Sequence, residues 1–225
     1  MAKQSRRTRY GNADAEAQSL LCGVTPLNDM QADYIAAIEN HEQVITVGSS
    51  GTGKTWIAAT MAANALLTGE ADKLILTRPY VTVGRSSGAL PGTLGEKYDP
   101  VFAPVMDVIK EQVGKGKVDT WIKSETIEMA PLEYMRGRSF KSAWIICDES
   151  QNLTEHEALM LVTRIGDGCK AIFNGDLRQS DIRADSGLAK MIRLARDGKV
   201  NVPVIEFGPE HIVRGGLVRE WLTSW

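Results

Sequence analysis

Gly48-Ser49-Ser50-Gly51-Thr52-Gly53-Lys54-Thr55 fits the pattern G-x-x-x-x-G-K-[ST] at every fixed position. The apolar run Val44-Ile45-Thr46-Val47 precedes it, and an alanine-rich helical pattern follows. Strand, glycine loop and helix, in that order, is the setting a phosphate-binding loop requires. The glycines let the backbone curl and point its N–H groups inward at phosphate oxygens. The start of the helix adds a partial positive charge beneath them. On this reading residues 48–55 cradle a nucleoside triphosphate. Lys54 reaches its β- and γ-phosphates, and the Thr55 hydroxyl holds Mg²⁺. The plain alternative is a glycine turn that joins strand to helix for structural reasons alone.

Outward from the loop, apolar runs alternate with helical patterns. Expected strands cover 43–48, 73–77, 126–130, 142–147, 170–174 and 202–207. Expected helices cover 54–68, about 101–113, 155–165, 186–196 and 211–222, with another starting at Pro26-Leu27-Asn28-Asp29. Between 84 and 104 the glycines and prolines predict an extended excursion. Such alternation predicts an α/β fold, a mostly parallel sheet with helices on both faces. Right-handed crossovers then gather the strand carboxyl ends on one edge, where ligands of open α/β sheets bind. Residues 1–24 differ from the rest: Lys3, Arg6, Arg7 and Arg9 head a polar stretch. It reads as a flexible basic tail, or as an arm for nucleic-acid phosphates. Residues 25–225 read as one domain.

Composition sets bounds. Net charge is −2, so bulk charge announces no nucleic-acid partner and any such site has to be a local patch. No apolar run reaches membrane-spanning length, so no membrane partner is expected. Three cysteines at 22, 147 and 169 give neither a disulfide framework nor metal-ligand spacing, and a cytoplasmic location is expected.

Two further motifs carry chemistry. Trp144-Ile145-Ile146-Cys147-Asp148-Glu149 is a buried strand emptying into two acids. Asp148 suits the shell of a Mg²⁺ ion, and Glu149 suits orienting and deprotonating an attacking water. A strand-ending acidic turn is the plain alternative. Phe173-Asn174-Gly175-Asp176-Leu177-Arg178-Gln179 follows another strand, Gly175 allowing a sharp exit. Asp176 and Gln179 would face the γ-phosphate side, where an amide can sense that group; an ordinary Asx turn is the alternative. The Gln31 amide can read an adenine edge and so select ATP. Arg214, in the expected terminal helix, or Arg164, at the end of another, could supply charge to a transition state. Arg78, Arg136 and Arg138 sit in turns or at strand ends, away from the loop. They could meet a nucleic-acid backbone, with Tyr80 or Tyr134 as stacking platforms. His41, His156 and His211 have no partner at ligand spacing. Trp56, Trp144, Trp221, Leu159 and Leu161 read as core.

Together these segments resemble the PhoH-like ATPases over about 27–222. The resemblance is carried by Gly51-Thr52-Gly53-Lys54-Thr55, Leu76-Thr77-Arg78-Pro79, Leu90-Pro91-Gly92, Ala130-Pro131-Leu132, Tyr134-Met135-Arg136-Gly137-Arg138, Asp148-Glu149, Leu161 to Gly166, Gly175-Asp176 with Gln179, and Val213-Arg214. It implies a RecA-like fold, Mg²⁺-dependent ATP hydrolysis, kinship with superfamily-one helicases, and RNA or single-stranded DNA as partner. Arg178 and Ser180 depart from the small or apolar residues typical there. Longer relatives carry an extra N-terminal or nuclease domain, for which this chain has no room. After Gln179 only 46 residues remain, too few for a second RecA-like domain. A homo-oligomer, with a hexameric ring as one form, is therefore expected, with an arginine crossing the interface. An ATP-dependent switch or assembly protein is the alternative. Glu149 and Gln179 argue against a small-molecule kinase.

Overall fold

The computed structural model describes residues 23–79, 94–182 and 186–224. The expected tail up to residue 22, Tyr80 and Leu90-Pro91-Gly92 lie outside them. The elements are α1 (Asp29–Asn40), β1 (Gln43–Gly48), α2 (Lys54–Thr68), β2 (Lys73–Thr77), α3 (Leu94–Val113) and α4 (Lys115–Lys123). They continue with β3 (Ile127–Met129), β4 (Ala143–Cys147), α5 (Glu155–Val162), β5 (Lys170–Gly175), α6 (Gly187–Arg196), β6 (Val204–Phe207) and α7 (Gly216–Ser224). The strands form one sheet in the order β3-β2-β4-β5-β1-β6. Every pairing is parallel.

Strands buried on both faces need apolar residues at consecutive positions, and β4 is buried throughout. Alternate side chains feed two cores. Val44, Leu74, Leu76, Trp144, Ile146 and Ile172 face the layer of α1, α2, α3 and α4. Ile45, Val47, Ile75, Ile145, Ala171 and Phe173 face α5 and α6. Helix α2 buries Ile57, Ala58, Ala59, Ala62, Ala63 and Ala65. Its alanines let it lie close to the sheet on one side and to α3 on the other. Among the described residues no helix is long and apolar enough to cross a membrane.

Caps set several boundaries. The Asn28 side chain accepts from the Gln31 N–H at 3.0 Å and starts α1. Thr154 and Glu157 close a capping box on α5. The structure also corrects the sequence reading. Helix α3 begins at Leu94 and runs through Pro100 and Pro104. Each proline removes one helix N–H, while burial of Phe102, Val105, Met106 and Ile109 holds the helix down. Helix α4, between Gly114 and Ser124, was not expected. Helix α5 ends at Val162, so Arg164 lies in the turn beyond it. Its guanidinium donates to the carbonyls of Met160 and Arg138. Leu159 and Trp221 are exposed rather than core.

At the sheet edge, Glu128 of β3 takes a forked hydrogen bond from Arg138 and a 3.0 Å bond from Lys73. The Arg138 guanidinium holds the Glu128 carboxyl down at about 2, against an opposing push from burial and with help from Lys73. A depressed carboxyl contributes stability above its unfolded value, near 4.5, and loses it as pH falls toward 2. Glu128→Gln is expected to cost about 1 kcal/mol at neutral pH, a modest figure because the cluster is half open to solvent. That is a fall of roughly 2–4 °C in Tm for a chain of this size. Thermal scans from pH 7 to pH 3 check it: the gap between wild type and variant should narrow toward the acid end.

Candidate nucleotide site

The sheet order places β5 between β1 and β4. Register pairs Val47 with Gly175 and Cys147 with Phe173. The loops after these three strands therefore leave the sheet side by side. They enclose a cavity of ≈ 850 Å³ lined by, among others, Lys54, Thr55, Asp148, Glu149, Asp176 and Gln179. This size lies within the usual range for a ligand pocket.

The loop at 48–55 is held from within and from outside. Gly51 and Gly53 adopt φ of +83° and +91°, which favours glycine. The Lys54 ammonium donates to the carbonyls of Gly48 at 2.6 Å and Ser49 at 2.9 Å. Thr52 is fully buried and its hydroxyl donates to the Ser49 carbonyl at 3.1 Å, so that side chain braces the loop. Ser50 is exposed on the cavity wall. From outside, Gln31 Nε2 donates to the Thr52 carbonyl at 2.9 Å while its Oε1 accepts from the Leu27 N–H at 2.8 Å. Gln31 lines the cavity, but these amide contacts clamp the loop to the start of α1.

The acids approach from the opposite side. The Thr55 hydroxyl donates to Asp148 Oδ1 at 3.3 Å, so the two oxygens expected at a Mg²⁺ ion are neighbours. Burial raises the Asp148 carboxyl, as does Glu149, while Arg78 and the Thr55 hydroxyl oppose this. Burial lowers the Lys54 ammonium, and Asp176, Asp148 and Glu149 push it back up. A nearby cation would relieve the crowded acids; that is the electrostatic fit of a metal–phosphate ligand to this site. Among the described residues no three His, Cys, Asp or Glu side chains group as a metal-ligand set. A cation there would draw its remaining ligands from the nucleotide and water. Burial pushes the Cys147 thiol up to about 12, which suits packing rather than chemistry.

Glu149 sits at φ +54°, ψ 35°, a left-handed conformation. Its carboxylate accepts from Nε2 of Gln151. The sequence reading missed Gln151; only its burial, a consequence of β5 passing beneath it, marks it out. Asp176 Oδ2 accepts from Gln179 Nε2 at 2.9 Å. Gly175 serves close approach rather than a special turn: a Cβ there would meet Leu188 Cδ2 at 2.5 Å.

Arg214 is not in the terminal helix, which starts at Gly216. The Gly215-Gly216 pair breaks the helical pattern there. Instead the segment after β6 crosses the loop. The Val213 N–H donates to the Gly51 carbonyl at 3.0 Å, and a Cβ on Gly51 would stand 2.7 Å from Arg214 Cγ. Arg214 thus lines the cavity of its own chain. Arg78 is not remote from the site: its charge acts on Asp148, and its Nη1 donates to the Val101 carbonyl at 3.1 Å. Arg138 is committed to Glu128, whereas Arg136 and Tyr134 are exposed.

With this geometry in place, comparison with known proteins gives a consistent result. The profile of the family described as PhoH-like protein matches residues 23–224. The chain belongs to the PhoH family. It is 37% identical to Protein PhoH of Escherichia coli K12 over 202 residues, which is 88% of this chain and 57% of that protein. It is 39% identical to the PhoH-like protein of Bacillus subtilis over 197 residues, 87% of this chain and 61% of the relative. It is 45% identical to that of Synechocystis over 152 residues, 68% and 46% respectively. The chain therefore spans about half to three fifths of these relatives. The PhoH assignment and the parallel α/β sheet agree with the P-loop fold read from residues 48–55 and point to a nucleotide-binding protein.

Gly53→Ala tests the clamp. A Cβ would stand 2.7 Å from Gln31 Nε2, at a φ that alanine rarely adopts. The left-handed backbone alone costs about 1–2 kcal/mol. Thermal denaturation should show that loss. ATP affinity should fall with it, because the Gln31 amide has to shift away from its place on the Thr52 carbonyl. Unchanged Tm and affinity would contradict the described contact.

Proposed function

We propose that this PhoH-family chain binds ATP with Mg²⁺ and hydrolyses it to ADP and phosphate, as a motor-like core coupled to RNA or single-stranded DNA. One observation carries the ATPase reading: Lys54, Thr55, Asp148, Glu149, Asp176 and Gln179, from three separate loops, line one cavity. Family membership supports nucleotide binding. Hydrolysis is supported by the paired acids, since transfer to another alcohol needs no second carboxylate poised for water.

The roles follow from reach and charge. Backbone N–H groups of 51–55 and the α2 N-terminus face the phosphates. Lys54 exchanges its carbonyl partners for phosphate oxygens. Thr55 and Asp148 would hold Mg²⁺, which supplies charge neutralisation at the phosphates when bound. Glu149 orients water and takes its proton. Gln179, carried by Asp176, meets the γ-phosphate. Arg214 is a source of positive charge from the same chain, so no arginine has to cross a subunit boundary for the site to hold one. A ring or other homo-oligomer is a further proposal, and sedimentation tests it.

Nucleic-acid coupling is the finer part of the proposal. Exposed Arg136 and Tyr134 support it, since a cation and an aromatic ring two positions apart in the sequence suit a single strand. Arg138 supports it less, because Glu128 already takes its fork. A switch or assembly role is the competing outcome. ATPase rates titrated with single-stranded RNA and DNA decide between them. Stimulation that fades with added salt is expected; indifference to both strands leaves the switch.

Two substitutions separate binding from chemistry. Lys54→Ala should weaken ATP binding by at least about tenfold, since it removes the charge that faces the phosphates. Glu149→Gln should leave ATP affinity intact and lower kcat by about 10²–10⁴-fold, the range for loss of a general base. Equilibrium binding of a fluorescent ATP analogue and phosphate release report the two quantities independently.

A further inference from the structure

Gln151 is 1% exposed, within the one-turn helix Ser150–Asn152 that follows Glu149. A buried amide needs partners for both of its ends. Here it has them. Nε2 donates to Glu149 Oε2, and Oε1 accepts from the Asp176 N–H at 3.0 Å.

The main chain of the same turn is sewn to the segment after β5. Ser180 and Ser186 hydroxyls donate to the Gln151 carbonyl at 3.1 and 3.3 Å. The Asp181 N–H donates to Asn152 Oδ1 at 2.9 Å, and Asn152 Nδ2 returns a bond to Asp181 Oδ2 at 3.2 Å. Gly175 permits the approach, since a Cβ there would stand 3.0 Å from both Gln151 N and Gln151 Oε1. The turn carrying Glu149 and the turn carrying Asp176 and Gln179 are thus one cross-linked piece.

The choice of an amide has a chemical reason. A carboxylate at 151 would repel Glu149 and could not donate to it. A lysine or arginine would donate but would lower the basicity of Glu149. A neutral amide fixes the orientation of the carboxylate and leaves its second oxygen to receive a proton. It also accepts the Asp176 N–H, which neither cation can do.

We propose that Gln151 is a positioning residue for hydrolysis: its amide aims the Glu149 carboxylate at the attacking water and locks to it the turn that presents Gln179 to the γ-phosphate. This rests on the assignment of Glu149 as the base. Base and sensor are then set together, so the group that detects the γ-phosphate and the group that acts on water share one support.

The test uses the full chain. Gln151→Met keeps the volume and removes both bonds. It should lower kcat about tenfold to hundredfold, as expected for a misaimed group, while ATP affinity stays within about twofold. Gln151→Glu still accepts from Asp176 but cannot donate to Glu149; it should show the same split and serves if the methionine variant fails to fold. In a Glu149→Gln background, Gln151→Met should add clearly less than its full loss, because the aiming part of its effect passes through Glu149. The idea is overturned if kcat stays near the wild-type value in the Gln151 variants. It is also overturned if kcat and affinity fall together with Tm, as a merely structural role predicts, or if the losses multiply in the double variant. Full activity in Glu149→Gln alone would remove the base assignment itself, and the proposal with it. Loss in Glu149→Gln beside normal Gln151 variants would remove this inference only.

Discussion

Parallel pairing of β1, β5 and β4 fixes where three distant parts of the chain can go. Because the three strands run in the same direction, each releases its chain at the same edge. Because β5 lies between the other two, the loop it releases fills the space between the glycine loop and the acid pair. The meeting of Lys54, Asp148 and Asp176 is thus a result of strand order before it is a result of any side-chain bond.

The bonds then refine what topology sets. Gln31 and Val213 clamp the glycine loop from the start of α1 and from the segment after β6. Gln151 clamps the acid turn to the turn after β5. The two clamps differ in kind. The first is mostly backbone-directed and braces a phosphate cradle. The second ends on a carboxylate and bears on its orientation.

Much of this was legible in the chain. The glycine loop is contiguous, and its flanks declare strand and helix without help from tertiary contacts. The apolar runs at 143–147 and 170–175 read as buried strands for the same reason, and the acids stand at their ends. Features made by long-range packing were not legible. Gln151 looks like any polar turn residue until β5 passes under it. Arg214 was drawn into the terminal helix because Val213 and Leu217 keep helical spacing, although Gly215-Gly216 marks the break. Pro100 and Pro104 suggested an interruption that the buried face of α3 overrides. Trp221 and Leu159 show the converse: apolar character alone does not say that a neighbour exists to cover it.

The left-handed backbone at Glu149 has a consequence for how this chain can change over time. A residue with a side chain pays about 1–2 kcal/mol to stand in that conformation, and glycine would relieve it. If Glu149 is the base proposed above, selection for robustness alone would drift that position toward glycine or asparagine, and the protein would grow sturdier as it fell silent. Under that assignment, retaining glutamate there trades durability for turnover, written into a single backbone torsion.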